Sequence, residues 1–167
     1  MQESSYLEST DALVEKFRHL PFLASLDKRY IKEILKLSKL RKYKKGEAIT
    51  CEGVYDCWIY MLISGGARVL KHGKEIATID RIGDTFGEMA AIDGSSRSAT
   101  IEVTCDTVCL ATDASFIDRL QPPDRNAFSA VFYRLFAEII AQRLRDTNEE
   151  LARAKEELDR LTKRKGG

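Results

Sequence analysis

Glu88 and Arg97 are the residues whose types and spacing could do chemistry in this chain. They stand nine positions apart in Gly83-Asp84-Thr85-Phe86-Gly87-Glu88-Met89-Ala90-Ala91-Ile92-Asp93-Gly94-Ser95-Ser96-Arg97-Ser98-Ala99-Thr100. An arginine is a permanently charged planar fork that matches two oxygens of one phosphate. A carboxylate only accepts hydrogen bonds, so Glu88 cannot share that anion and suits a sugar hydroxyl instead. Gly87 precedes the acid and, lacking Cβ, admits close approach of a ligand to the backbone. Glu88–Ile92 reads as one short helical turn, whose unpaired amides favour an anion. Ser98 adds a hydroxyl donor beside the arginine. Phosphate and sugar hydroxyl together describe a nucleotide. One arginine without a Gly-Lys-Thr phosphate loop implies a single phosphate and no metal. The plain alternative is an exposed ion pair contributing under ~1 kcal/mol.

Other reactive side chains are sparse. The four cysteines, Cys51, Cys57, Cys105 and Cys109, form no Cys-x-x-Cys pair, and the two histidines are His19 and His72. A metal or iron–sulfur site is not expected; reduced thiols acting as small buried hydrophobes are. Cys109 alone is expected in the core of a strand. His19 falls in a loop before Leu20-Pro21, His72 falls at a hairpin tip, and no serine or cysteine has a local base. Catalysis is therefore not expected. The net charge of +1 excludes a generally basic nucleic-acid binder. The local excesses at Lys39, Arg41, Lys42, Lys44 and Lys45, and at Lys163, Arg164 and Lys165, read as solvated surface. The amino terminus lacks a signal pattern, and the apolar run Cys57–Ile63 is far short of the ~20 residues of a membrane span. A cytoplasmic protein with no membrane contact is the expectation.

Three zones position the candidate site. Residues 1–40 read as a helical segment, with Asp11 a candidate cap for one helix and Asp27 for a second, whose stripe is Tyr30, Ile31, Ile34, Leu35 and Leu37. Residues 41–120 read as β structure. Eight of the ten glycines fall there, and turns recurring at about eight to twelve residues suggest a sandwich or barrel of short antiparallel strands. The clearest strands are Trp58–Ser64, Ala67–Lys71, Glu75–Asp80, Ala99–Thr104 and Val108–Thr112, with His72-Gly73 as a tight hairpin turn.

Residues 121–167 open on Gln121-Pro122-Pro123 and contain a helix over Asn126–Leu161. Phe128, Val131, Phe132, Leu135, Phe136 and Ile139 make a broad apolar face expected to pack on the β zone. Beyond it Ala137, Leu144, Leu151 and Leu158 repeat every seven residues, with Ile140, Thr147, Ala154 and Leu161 between them. That seam, flanked by charges, predicts a parallel two-stranded coiled coil and a homodimer.

Most of the chain, about residues 20–150, resembles the cyclic-nucleotide-binding domain family. Lys45-Gly46-Glu47-Ala48-Ile49, Glu52-Gly53 and Tyr60-Met61-Leu62-Ile63-Ser64-Gly65 are similar to the family's early strands. Gly83-Asp84-Thr85-Phe86-Gly87-Glu88 is similar to its phosphate-binding cassette. The spacing of Glu88 to Arg97 resembles protein kinase A regulatory subunits, and Arg97-Ser98-Ala99 resembles the bacterial catabolite activator protein. Ser96 departs from a frequent proline, and Met89 and Ala91 from frequent leucines.

The resemblance implies an α+β fold. An antiparallel jelly roll (a double-stranded β-helix) would be flanked by amino-terminal helices and a long carboxy-terminal dimerisation helix. It implies that Glu88 holds a ribose 2′-hydroxyl and Arg97 a cyclic phosphate. Gly87, Met89 and Ala90 would supply backbone contacts, and Ser98, with Ala99 beside it, would reinforce the phosphate. Arg143-Leu144-Arg145-Asp146-Thr147-Asn148 is similar to the central helix of the catabolite activator protein. There an arginine approaches the ligand and a Thr-Ser pair reaches the adenine, one of the two from the partner subunit. Arg143, Thr147 and Asn148 correspond, though a polar seam residue could simply set register.

The expected function is a non-enzymatic regulatory module without a cofactor. It would bind cAMP, with cGMP open, and signal through a hinge near residues 116–124 and the long helix to an unidentified protein. No helix-turn-helix follows, so direct DNA binding is not expected. The alternative is the ligand-binding half of a Crp/Fnr-type transcription regulator whose DNA-binding domain lies elsewhere.

Overall fold

The computed structural model describes residues 1–24, 26–115 and 124–165. Strands β1 (Gln2–Glu3), β2 (Ser38–Tyr43), β3 (Ala48–Thr50), β4 (Trp58–Ser64), β5 (Ala67–Lys71), β6 (Lys74–Ile79), β7 (Thr85–Phe86), β8 (Thr100–Val103) and β9 (Thr107–Asp113) form two antiparallel sheets. One is ordered β1-β2-β9-β4-β7 and the other β3-β8-β5-β6. Inward side chains of both sheets make one core, including Tyr43, Ile49, Tyr60, Leu62, Phe86, Ile101, Val103 and Cys109. This is the expected jelly roll.

β4 shows why an uninterrupted apolar run is still a strand. Successive side chains point to opposite faces. Tyr60 and Leu62 enter the core between the sheets, while Ile59 and Met61 line a small cavity with Leu23 and Ile34 of the amino-terminal helices. Both faces are covered, so both must be apolar. At the β5–β6 turn, His72 and Gly73 have φ of 52° and 74°, between the paired Lys71 and Lys74. Two consecutive positive φ values make a primed turn, at the place where the sequence predicts a tight hairpin turn.

The amino-terminal helices are α1 (Asp11–Phe17), α2 (Pro21–Ala24) and α3 (Lys28–Lys36). Thr10, not Asp11, caps α1, accepting from the Leu13 amide at 3.3 Å. Asp27 holds the cap position of α3 without a side-chain bond, and Ile31, Ile34 and Leu35 are the buried stripe. The helical reading ends earlier than expected. Ser38 already begins β2, its hydroxyl donating to the Ile34 carbonyl at 2.6 Å and bonding to Thr112 Oγ1 at 2.8 Å.

Two surface expectations are corrected. Lys39 and Arg41 of the basic cluster are not simply solvated but pair with Glu3 of β1. Cys51, Cys57 and Cys105 are exposed and only Cys109 is buried, where loss of water pushes its thiol pKa up to about 12.

α4 (Glu88–Asp93) realises the short turn of the cassette. α5 (Asp124–Lys165) has 42 residues, a rod of about 63 Å at ~1.5 Å per residue. Residues 130–167 form a compact unit apart from residues 1–129. Within that second unit Phe132 meets Phe136 edge to face at 5.3 Å, while Ile140, Leu144, Leu151, Leu158 and Leu161 are exposed. The expected hinge residues 116–123 lie outside the described residues. Among the described residues no helix is long and apolar enough to cross a membrane.

Gly65 sits where β4 hands over to β5 with φ 93°, and a Cβ there would lie 2.6 Å from the Asp106 carbonyl oxygen. Gly46 has a similar φ of 84° but open space around it. Gly46→Ala should therefore cost only the backbone strain, ~1 kcal/mol. Gly65→Ala should cost the clash as well, roughly 2–3 kcal/mol. Urea unfolding of the two variants measures the difference, and equal losses would contradict the close approach.

Candidate functional site

The cassette begins where β7 leaves the sheet. Phe86 pairs with Tyr60 of β4, so Gly87 and Glu88 emerge at a fixed place beside that strand. Gly87 has φ 87° and caps α4. Its missing Cβ would stand 2.5 Å from Arg97 Nη1 and 2.8 Å from the Trp58 carbonyl oxygen. The sequence reading assigned this glycine to the approach of a ligand. The structure shows that the first group needing the space is the side chain of Arg97.

Glu88 and Arg97 are both buried, at 1% and 4% exposure, so the exposed-ion-pair alternative fails. The carboxylate paired with Arg97 is Asp56 of the β3–β4 loop. Arg97 Nε donates to Asp56 Oδ2 at 3.0 Å and Nη1 donates to the Gly87 carbonyl at 2.8 Å. Nη2 donates to Asp56 Oδ1 and to the Trp58 carbonyl. A guanidinium has five N–H groups, and these bonds use four of them among the described residues. One N–H on Nη1 remains for an incoming acceptor. The guanidinium also lies 5.7 Å from the Tyr60 ring centroid, within range of a cation–π contact.

The backbone around Arg97 is clamped from three sides. Its amide donates to the Val54 carbonyl at 2.8 Å, and its carbonyl accepts from Gly53 at 2.9 Å. Lys71 Nζ donates to the Ser98 carbonyl at 2.7 Å. Glu52, from the same loop, bonds through its amide to Thr100 Oγ1 at 2.9 Å and pairs with Lys71 at 2.7 Å. The Lys71 hydrogen bond holds the Glu52 carboxyl below the usual carboxylate range.

Of the expected site residues, Gly87, Glu88, Met89, Ala90, Arg97, Ser98 and Ala99 lie together in this cassette. Ala90 is buried, and Met89 and Ser98 are exposed. Arg143, Thr147 and Asn148 are exposed residues of α5 in the second unit, described on that helix alone. Asp56 was missed by sequence reasoning. Its one local signal points elsewhere: Oδ1 accepts from the Trp58 amide at 2.9 Å, an Asx-turn bond that any loop aspartate could make.

Comparison with known proteins bears on the fold and the family. Residues 40–121 match the model of the cyclic nucleotide-binding domain. A cGMP-dependent protein kinase of Toxoplasma gondii is 38% identical over 81 residues, 48% of this chain and 8% of that protein. A cAMP-dependent protein kinase regulatory subunit of Schizosaccharomyces pombe is 30% identical over 101 residues, 60% of this chain and 24% of that subunit. The chain thus spans less than a quarter of the length of either relative. A solved structure from Geobacter metallireducens superposes with a TM-score of 0.70 at 19% identity, over 78% of this chain and 96% of that one. That likeness carries the fold alone. With the jelly roll, the glycine-led cassette and the matched span in agreement, this chain belongs to the cyclic nucleotide-binding domain family through its residues 40–121.

Proposed function

We propose that the cassette binds one cyclic nucleotide per chain, with cAMP the leading ligand and cGMP the alternative. The single observation behind this reading is a permanent cation buried at 4% exposure with one N–H uncommitted among the described residues, nine positions from an equally buried carboxylate. Arg97 takes the cyclic phosphate, and Glu88 takes the ribose 2′-hydroxyl. Gly87, Met89 and Ala90 offer backbone contacts, and Ser98 and Ala99 complete the phosphate side. A second phosphate oxygen can be engaged only by displacing one of the present acceptors, the Gly87 carbonyl, the Trp58 carbonyl or part of Asp56. Where Asp56 yields, binding is felt in the β3–β4 loop; where the Gly87 carbonyl yields, it is felt at the start of α4.

The module is regulatory. The ligand shifts the balance between two packings, and α5 carries the change to a partner protein. Relatives that are a cGMP-dependent kinase and a cAMP-dependent kinase regulatory subunit support a regulatory role and leave the base open. The second copy of the chain pairs through the exposed seam of Leu144, Leu151, Leu158 and Leu161. Thr147 and Asn148, with Arg143 one turn before them, then face the base from the helix. A Crp/Fnr-type regulator carrying its DNA-binding domain elsewhere is the second reading, favoured by the same seam.

Calorimetric titration with cAMP and cGMP tests the ligand. Arg97→Ala should weaken binding by about 3 kcal/mol, roughly a hundredfold. Arg97→Lys, which keeps the charge and loses the fork, should fall between. A wild-type protein that binds neither nucleotide would sink the assignment.

Asp56→Asn leaves the Arg97 charge short of its carboxylate and should lower stability by roughly 2–3 kcal/mol in urea. Saturating cyclic nucleotide should restore part of that loss by mass action. No loss at all would mean that the Asp56–Arg97 pair does not hold the loop.

Light scattering tests the dimer. The wild type should have twice the chain mass, and Leu151→Asp with Leu158→Asp should give a monomer. A monomeric wild type would refute the seam.

A further inference from the structure

Two arginines converge on one buried ring. Arg97 Cζ and Arg41 Cζ each lie 5.7 Å from the Tyr60 ring centroid, and Tyr60 is 2% exposed. Arg41 Nη1 also donates to the Tyr60 hydroxyl at 2.8 Å, and its guanidinium lies 3.9 Å over Trp58. The ring is stacked on Phe86 at 5.4 Å and 14°, one residue before Gly87. Two cations against one ring repel in a medium of low dielectric, so each needs its own anion. Arg97 has Asp56. Arg41 has Glu3, which accepts from Arg41 Nε at 2.6 Å and from Lys39 Nζ at 2.7 Å.

Glu3 belongs to β1, a two-residue strand at the edge of its sheet. Its register pairs are Gln2 with Lys42 and Glu3 with Arg41. Beyond them, Ser4 donates to the Leu40 carbonyl at 2.9 Å and its hydroxyl accepts from the Leu40 amide at 3.0 Å. The Leu7 amide also donates to the Ser38 carbonyl at 3.0 Å and the Met1 ammonium pairs with Glu47, but the Glu3 carboxylate is the tie that reaches Arg41 and through it the buried Tyr60.

We propose that Glu3, Arg41 and Tyr60 are positioning residues for Arg97, which makes the amino-terminal strand a coupled part of the phosphate site. The proposal rests on the reading of Arg97 as the phosphate ligand. Glu3 fixes the Nε edge of Arg41, Arg41 fixes the tilt of Tyr60 through its hydroxyl, and the Tyr60 ring fixes the plane on which Arg97 lies. Anything that lifts β1 from β2 loosens that plane and weakens the hold on the phosphate. Linkage makes the effect reciprocal, so the bound nucleotide also holds β1 down.

The test is a double-mutant cycle. Wild type, Glu3→Ala, Arg41→Met and the double variant are titrated with cAMP and with cGMP. Each single change should weaken the tighter nucleotide by roughly three- to tenfold, and the double variant by no more than either single one. Tyr60→Phe keeps the ring and its stacking and removes only the hydroxyl. It should lose about as much as Arg41→Met, and it replaces that variant in the cycle if Arg41→Met does not fold. Amide hydrogen exchange of residues 2–7 in the wild type should slow when nucleotide is added, which a strand that opens locally and independently of the site would not do. Multiplying losses, or unchanged affinities in variants of a binding wild type, would overturn the coupling. A wild type that binds neither nucleotide removes the Arg97 assignment itself, and this proposal with it.

Discussion

The burial of the Arg97 guanidinium is the constraint around which the β domain is arranged. An ion taken out of water costs several kcal/mol unless it is paired and its donors are satisfied. Here one carboxylate and two backbone carbonyls meet it, from Asp56, Gly87 and Trp58. None of these is adjacent to Arg97 in sequence. The loop before β4, the start of β4 and the end of β7 must all arrive together, and the charge is tolerated only when they do. Gly87 is required in the same way, because any side chain there would occupy the guanidinium's space. An arginine so held has its fork fixed in one orientation, so a group that engages it loses little side-chain entropy.

The two sheets supply that convergence. β4 lies between β9 and β7 in one sheet, buried on both faces, so its register has little freedom to slip. That register sets Tyr60 opposite Phe86 and thereby sets where Gly87 turns away. The segment carrying Arg97 enters the other sheet at β8, which pairs with β3 and β5. The cassette therefore bridges the sandwich, and the β3–β4 loop crosses with it. A ligand seated against Arg97 would act on both sheets at once.

α5 poses a separate physical problem. Its second half exposes Leu144, Leu151, Leu158 and Leu161 along one line. On the same helix Glu149 pairs with Arg153 at 3.6 Å and Gln142 bonds Asp146 at 2.8 Å. Such local pairs support a helix by only a few tenths of a kcal/mol each. They do nothing for the exposed leucines, whose burial needs a second surface. In the proposed dimer that surface is another copy of the same seam.

The sequence by itself determined the features whose physics is local. The His72-Gly73 turn, the bounds of β4 and β5, the helical turn after Gly87 and the uninterrupted α5 each follow from residues close together in the chain. The identity of Glu88 and Arg97 as candidates was legible for the same reason. What the tertiary structure alone decided was partnership. Asp56 reads as a turn aspartate until the fold places it on Arg97. Arg41 reads as a surface charge until β1 pairs with β2 and brings Glu3 to it. The short strands β1, β3 and β7 carry too few residues for a period to show. Thr10 displaced Asp11 as a cap because the cap bond depends on one dihedral setting. A periodic pattern specifies which face of an element is apolar; which distant group meets a buried charge is settled only by the register between strands, and no local pattern encodes it.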